Sequence, residues 1–212
     1  YFVFSPATGT LAKDSNNFMD SVLLEKMPPL VKSSLKLYPF ATMEDFKFKV
    51  PSTAITNREL RASLRSGAIR GFEDGIHRVG DCEIPTLVSG NTSIICVLDF
   101  NGLNASLSAE VAGDSLSAPT KMVTVNVAVV DTAGRFEASA LPDKPGVVRT
   151  FYVEQINLRT TYGHNLHLNR PRQNKFVHEV EMRVHSALYH LLYGEYLRLL
   201  NQAVESAMLP QV

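Results

Sequence analysis

The pattern of apolar and polar residues changes period twice along the chain. From residue 14 to residue 37, apolar side chains such as Phe18 and Val22 recur at the three- and four-residue spacing of an amphipathic helix. Pro28 and Pro29 interrupt this segment, because both lack a backbone N–H group and the first disfavours helical geometry in the residue before it. We therefore predict a kinked helix, or two consecutive helices, at this end of the chain.

The middle of the chain, residues 46–160, alternates with a period of two. Apolar residues occupy every second position from Leu103 to Val111 and again from Val123 to Val129, with mostly polar residues between them. Turn-forming sequences such as Asp131-Thr132-Ala133-Gly134 join such runs directly. The pattern predicts a long antiparallel sheet with one apolar face, and it argues against a doubly wound nucleotide-binding fold.

The last segment, residues 176–208, returns to helical spacing. Its apolar residues recur every four positions in one row: Val180, Val184, Leu188, Leu192, Tyr196, Leu200, Val204 and Met208. The spacing predicts one helix of about 50 Å at 1.5 Å per residue, which makes the molecule elongated. Gly194 is a position at which this helix can bend.

A sheet with a single apolar face must bury that face, and the two terminal helical segments are long enough to cover it. We therefore predict an α+β fold of one domain, residues 1–212. A long curled antiparallel sheet would wrap around the kinked N-terminal helix and the long C-terminal helix as an elongated super-roll. Imperfect contact between sheet and helices would leave an apolar channel that suits a lipid tail. The candidate lining residues, for which dry core packing is the alternative, are Phe18, Val22, Met27, Leu35, Val184, Leu188, Leu192 and Tyr196.

The two cysteines bear on the cellular compartment. Cys82 and Cys96 lie at equal distances from Ser89 in a predicted hairpin whose strands are residues 76–84 and 93–100. In that register the two side chains lie opposite each other, at a separation of roughly 4.5 to 5.5 Å that a disulfide can bridge. We predict this disulfide, with two buried reduced thiols as the alternative.

Two glycosylation sequons, like the predicted disulfide, favour an extracellular location. Asn91-Thr92-Ser93 lies at the predicted hairpin tip and Asn104-Ala105-Ser106 on a polar strand face, where a glycan fits at Asn91 or Asn104. The run Tyr1-Phe2-Val3-Phe4 is too short for the apolar core of a signal peptide, as in a processed mature chain. We therefore predict a secreted, extracellular glycoprotein.

Composition and charge narrow the function classes. The 21 basic and 21 acidic residues cancel, so no net field favours a nucleic-acid partner, and no apolar run is long enough to span a membrane. The sequence has no nucleophile elbow, dinucleotide turn, phosphate-binding loop or zinc helix. We therefore predict no enzyme, no catalytic residues, no cofactor and no metal site. His178 and His185 could share a helix face, but a surface position is the better interpretation.

Three short stretches carry a resemblance to a known family. Glu59-Leu60, Arg70-Gly71 and Arg78-Val79-Gly80-Asp81 are similar to the group 7 allergens of mites and to related proteins of ticks. The order of helix, long curled sheet and long C-terminal helix also resembles the arthropod juvenile-hormone-binding proteins and one half of bactericidal/permeability-increasing protein. The resemblance to this superfamily, known as TULIP, implies an apolar or amphipathic ligand and no catalytic residues.

Two functions stay open on these grounds. The first is a secreted, non-catalytic carrier whose channel takes a hydrophobic small molecule or lipid, with about 0.8 kcal/mol gained per buried methylene. The second is an allergen-like or salivary effector that binds host haemostatic or innate-immune proteins without a lipid cargo. Two basic clusters could meet an anionic partner or simply be solvated. They are Arg58, Arg61, Arg65 and Arg70 in one, and Arg170, Arg172 and Lys175 in the other.

Overall fold

Helical segments lie at both ends of the chain and strands lie between them. The computed structural model describes residues 10–212; the run Tyr1 to Phe4 lies outside the described residues. The N-terminal helical segment consists of α1 (Thr10–Asp20), a π-helical turn (Ser21–Lys26) and α2 (Met27–Ser33). The C-terminal helical segment consists of α3 (Arg170–Leu191), a π-helical turn (Leu192–Tyr196) and α4 (Leu197–Glu205). No helix of the described residues is long and apolar enough to cross a membrane.

The helices differ from the prediction at their ends. The interruption expected at Pro28 takes the form of a π-helical turn just before α2, whose first turn tolerates the missing proline N–H groups. Ser34 adopts an extended backbone conformation, so the N-terminal segment ends before the predicted residue 37. The C-terminal segment begins earlier than predicted, because the side chain of Asn169 accepts a hydrogen bond from the Arg172 N–H and caps α3.

The strands form two antiparallel sheets. Sheet A contains β1 (Ala41–Thr42), β2 (Phe46–Val50), β3 (Leu60–Arg70), β7 (Asn104–Ala112), β8 (Lys121–Val130) and β11 (Asn157–Tyr162). Sheet B contains β4 (His77–Val79), β5 (Thr86–Val88), β6 (Asn91–Asp99), β9 (Ala133–Ala140) and β10 (Val147–Val153). The order in sheet A is β1-β3-β7-β8-β11, with β2 also paired to β3. The order in sheet B is β10-β9-β6-β4, with β5 also paired to β6.

The chain passes between the two sheets at a junction of short connections, residues 71–76, 100–103, 131–132 and 154–156. Each strand of sheet A from β3 to β11 continues into a strand of sheet B, and the neighbours keep their order. Backbone hydrogen bonds join the connections, for example from the Gly102 N–H to the Gly75 carbonyl oxygen at 3.2 Å. A Cβ atom at Gly71 would collide with the Gly102 backbone, so this close approach requires glycine. The predicted long sheet is thus two sheets joined in series.

The helices lie on the apolar inner faces of the sheets, which confirms the predicted α+β arrangement. α3 contacts β2 and β11 of sheet A, α1 contacts β4 and β6 of sheet B, and α4 contacts β10 and the N-terminal segment. The predicted row of the C-terminal helix is buried from Val180 to Val204. Met208, the last member of that row, is exposed because α4 ends at Glu205.

Cys82 and Cys96 form a disulfide, which confirms the predicted pairing. The expected strand over residues 76–84 is wrong for most of its length, because β4 is short and residues 80–85 form no strand. Cys82 therefore lies in this irregular connection, while Cys96 lies in β6. The hairpin of β5 and β6 turns through Ser89 and Gly90, both with positive φ, as a tight two-residue hairpin turn requires.

Candidate functional site

The predicted lining residues are buried, with one exception. Phe18, Val22, Met27, Val184, Leu188, Leu192 and Tyr196 all lie in the core. Leu35 is 95% exposed and cannot line the interior, because α2 ends before it and the extended backbone at Ser34 breaks the helical spacing that placed it on the buried face. The gap beside Leu188 and Leu192 is too narrow to hold a water molecule. Among residues 10–212, the predicted channel is therefore closed at this point.

Aromatic rings fill the centre of the molecule. We call Phe72, Phe100, Phe151, Tyr193 and Tyr196 the central aromatic cluster; its ring centroids lie 5.7–6.1 Å apart in neighbouring pairs. Two rings come from the C-terminal π-helical turn, and Phe72 and Phe100 come from the junction connections. The Tyr193 hydroxyl accepts a hydrogen bond from the Val153 N–H at 2.8 Å. Burial raises the pKa of the Tyr196 hydroxyl above its usual value.

The outer face of sheet A carries a cleft of about 480 Å³, which we call the basic cleft. Its cationic side chains are Lys47 and Lys49 of β2 and Arg61 and Arg65 of β3. The two strands are antiparallel, and Lys49 lies directly opposite Arg61. The sequence identified the arginines but missed the lysines, although the alternation Phe46-Lys47-Phe48-Lys49-Val50 already places both on the polar face.

Charges in the basic cleft are only partly compensated. Glu59 lies 3.3 Å from Lys49 and 3.4 Å from Arg61, and the Lys49 hydrogen bond is the main cause that lowers the Glu59 pKa. Lys47 and Arg65 form no ion pair with the residues that the structure describes. Glu110 of β7, exposed and likewise outside these ion pairs, is the one acidic side chain that lines the cleft, so the four cations outnumber it. The cleft can therefore accept an anionic group that approaches from solvent.

The second predicted basic cluster serves the fold instead. Arg172 is only 1% exposed, and its guanidinium donates hydrogen bonds to the carbonyl oxygens of Arg58 (2.7 Å), Gly113 (3.0 Å) and Asp114 (3.3 Å). Burial lowers the pKa of the Arg172 guanidinium, which Asp114 partly opposes. Lys175 pairs with Glu179 at 2.8 Å. Within this cluster, only Arg170 is both exposed and outside any ion pair of the described residues.

Arg172 also brings two distant loops together. We call the loops of residues 51–59 and 113–120, at one end of sheet A, the tip. Besides the shared bonds to Arg172, the Arg58 N–H donates to the Gly113 carbonyl oxygen at 3.3 Å. The two basic clusters of the sequence, Arg58 with Arg61 and Arg170 with Arg172, therefore meet at the tip. Sequence spacing carried no signal for this contact, which joins residues 114 positions apart.

The remaining predicted residues lie on the surface. Asn104 is exposed at the start of β7, and Asn91 is half-buried at the start of β6, so glycosylation at either residue stays a prediction. His178 and His185 are exposed on α3. In the range 10–212, no group of three histidine, cysteine or acidic side chains is placed to hold a metal ion.

Comparisons with known proteins give one close relative in sequence. No family model matches the chain. The salivary anticoagulant protein P23 of Ixodes scapularis is 43% identical over 210 residues, which cover 99% of this chain and 94% of that protein.

Among solved structures, Takeout 1 of Epiphyas postvittana matches with a TM-score of 0.40 and 12% identity, over 89% of this chain and 91% of that one. A lipopolysaccharide binding protein matches with a TM-score of 0.45 and 12% identity, over 93% of this chain and 36% of that one. At these scores neither structure carries information about a ligand.

Proposed function

This chain belongs to the family of the tick salivary anticoagulant protein P23, and on that premise we propose that it is a secreted, non-catalytic protein that slows host blood clotting. It acts by binding a host clotting protein at its surface. The disulfide between Cys82 and Cys96 is typical of a protein that works outside the cell.

The filled centre of the molecule favours a surface binder over a lipid carrier. In the central aromatic cluster, Tyr193 and Tyr196 of the C-terminal helical segment pack directly against rings of the sheet junction and β10, between the helix and the sheet where the predicted channel would run. A ligand tail there would have to displace Tyr196 and Phe151, whose burial stabilises the fold. A surface partner requires no such displacement.

The basic cleft is the surface that best fits a protein partner. Lys47 and Arg65 have no ion pair within the described residues. Acidic side chains of a partner could therefore form ion pairs with them without breaking existing ones. The cleft is concave and lies on a regular sheet, which holds these charges in fixed positions. We therefore assign host-protein binding to this cleft.

A plasma clotting assay with a charge-reversed variant tests the assignment. Wild-type protein should prolong the clotting time, and Lys47→Glu combined with Arg65→Glu should need about tenfold more protein for the same delay. Arg135→Glu, an exposed arginine on the outer face of sheet B, is the matched control and should act like the wild type. Normal clotting with the wild type would refute the function. A double variant of unchanged potency would refute the cleft as the site.

Carriage of a hydrophobic ligand is the second candidate, because seven of the eight predicted lining residues do face the core. Native mass spectrometry before and after organic extraction separates the two functions. The surface binder should have the mass of its own chain and its glycans in both samples. A lipid mass that disappears on extraction, together with displacement of a fluorescent fatty acid, would establish the carrier instead.

A further inference from the structure

We propose that the tip docks on membranes that contain anionic phospholipids, by inserting Ile55 and Leu116 while neighbouring arginines bind the headgroups. This surface lies beside the basic cleft, and its role is additional to the proposed binding of a clotting protein.

Ile55 is the first observation. Its side chain is 94% exposed, although the loop that carries it is held by a dense set of hydrogen bonds. The Asn57 side-chain oxygen accepts from the Thr53 N–H and from the Ser52 hydroxyl, both at 3.0 Å. Asn169 donates to the Thr53 hydroxyl at 2.6 Å and so joins the loop to the start of α3. An ordered polar loop thus presents an isoleucine to solvent, where the fold gains nothing from it.

The second loop presents another apolar residue at the same end of sheet A. Leu116 is 48% exposed and lines a surface depression of about 340 Å³ together with Arg58 and Arg61. Arg172 bonds to the backbone of both loops, at Arg58 in the first and at Gly113 and Asp114 in the second, so the loops that carry Ile55 and Leu116 are held together at their ends. Binding would therefore cost little ordering entropy.

The charge of the tip complements an anionic surface. Arg58 and Arg170 are exposed and form no ion pair with the described residues. The two carboxylates nearby are already engaged, Glu59 by Lys49 and Asp114 by Lys121 at 2.6 Å. Basic residues beside exposed apolar side chains are typical of proteins that bind at the membrane interface.

The apolar residues decide between a membrane and a soluble polyanion. A sulfated polysaccharide would engage the arginines, but it offers no apolar phase for Ile55 and Leu116. An anionic bilayer accepts both groups at once, because its headgroups bind the cations and its acyl boundary buries the apolar side chains.

Co-sedimentation with vesicles tests the proposal. The full chain should bind phosphatidylcholine vesicles that contain phosphatidylserine, and it should bind pure phosphatidylcholine vesicles much more weakly. Ile55→Ser combined with Leu116→Ser should weaken binding about tenfold or more, since each loses the partitioning of an aliphatic side chain. Arg58→Gln combined with Arg170→Gln should weaken it by more than about tenfold, at roughly fivefold per charge.

Two matched variants serve as controls. Leu35→Ser changes an apolar residue that is as exposed as Ile55 but lies outside the tip. Arg135→Gln changes an exposed arginine of sheet B. Both should bind like the wild type, and all four variants should keep its unfolding temperature because the substituted residues are at the surface.

Three results would overturn the proposal. They are absent binding to phosphatidylserine vesicles, a serine pair that binds like the wild type, and a Leu35→Ser variant that loses as much affinity as that pair. A soluble polyanion would be the ligand of the tip if two results came together: the arginine pair loses retention on immobilised heparin, and the serine pair binds vesicles like the wild type.

Plasma clotting is measured separately. A chain that delays clotting without binding vesicles refutes the docking alone, and one that binds vesicles without delaying clotting refutes only the proposed function.

Discussion

The central aromatic cluster and the tip are both organised by the C-terminal helical segment, yet different forces hold them. At the centre, Tyr193 and Tyr196 of the π-helical turn pack against rings from the sheet junction. At the tip, the buried guanidinium of Arg172 bonds to three backbone carbonyl oxygens of two loops. The first region depends on buried apolar area, and the second depends on a few polar contacts with defined geometry.

This contrast explains how each region treats its apolar residues. The centre buries four of its five rings and half-buries Tyr193, since each ring contributes to stability through area and packing. The tip obtains its order from hydrogen bonds, so Ile55 and Leu116 can stay in solvent without loss of structure. A region ordered by polar contacts is free to present apolar groups to a partner.

Phe151→Ala should give the largest effect. Phe151 contacts Phe100, Tyr193 and Tyr196, so its removal leaves a cavity at the centre and should lower the free energy of unfolding by about 4 kcal/mol. Guanidinium unfolding monitored by circular dichroism measures this change. Tyr152→Ala, the adjacent exposed residue on the opposite face, should cost less than about 0.5 kcal/mol. Equal costs for the two variants would mean that the centre is not tightly packed.

Arg172→Met should lower the free energy of unfolding less than Phe151→Ala does, and its effect should be confined to the tip. The methionine keeps much of the apolar volume but removes the guanidinium donor from three carbonyl oxygens, of which only that of Gly113 keeps another donor among the described residues, the Arg58 N–H; the cost should be about 2 to 3 kcal/mol. Hydrogen exchange should accelerate in residues 51–59 and 113–120 and stay unchanged around Phe151. Arg170→Met, its exposed neighbour, is the control for stability. Uniform acceleration across the chain would contradict a separate polar unit at the tip.

Much of the architecture was predictable because burial leaves a period in the sequence. The alternation from Leu103 to Val111 and the four-residue row from Val180 to Val204 correspond to buried faces in the structure. The disulfide was predictable from hairpin symmetry, although Cys82 lies outside a regular strand. The relative from Ixodes scapularis confirms the resemblance to tick proteins, whereas the resemblance to mite group 7 allergens stays a prediction.

The rest depends on contacts that no local pattern encodes. The sheet junction arises where glycines such as Gly71 and Gly102 let separate connections approach, and single residues of this kind give no periodic signal. A buried position looks the same in sequence whether it borders a channel or another side chain, so the sequence could not decide between a ligand channel and the dry core packing that was its alternative. Arg172 was expected to meet solvent or an anionic partner. Its burial could not be predicted, because its partners are backbone carbonyl oxygens, which every residue has and which therefore give no sequence signal.

Glu195 gives the smallest expected effect and tests how far the centre depends on charge. Its carboxylate accepts hydrogen bonds from Arg198 at 2.8 and 3.0 Å and from the Ser34 hydroxyl at 2.7 Å, which links the two helical segments. Hydrogen bonding from Arg198, followed by Ser34, lowers the pKa of Glu195 from 4.5 to about 2.

Because the folded state lowers this pKa, the ionised carboxylate stabilises the protein fully above pH 4.5, and the contribution is lost as the pH falls towards 2. The loss should be about 1 kcal/mol, since the Arg198 side chain is largely exposed and solvent screens the pair. Unfolding curves of the wild type and Glu195→Gln should therefore converge over this range, and Tyr152→Ala should follow the wild type. A loss as large as that of Phe151→Ala would mean that this polar link, rather than ring packing, holds the centre together.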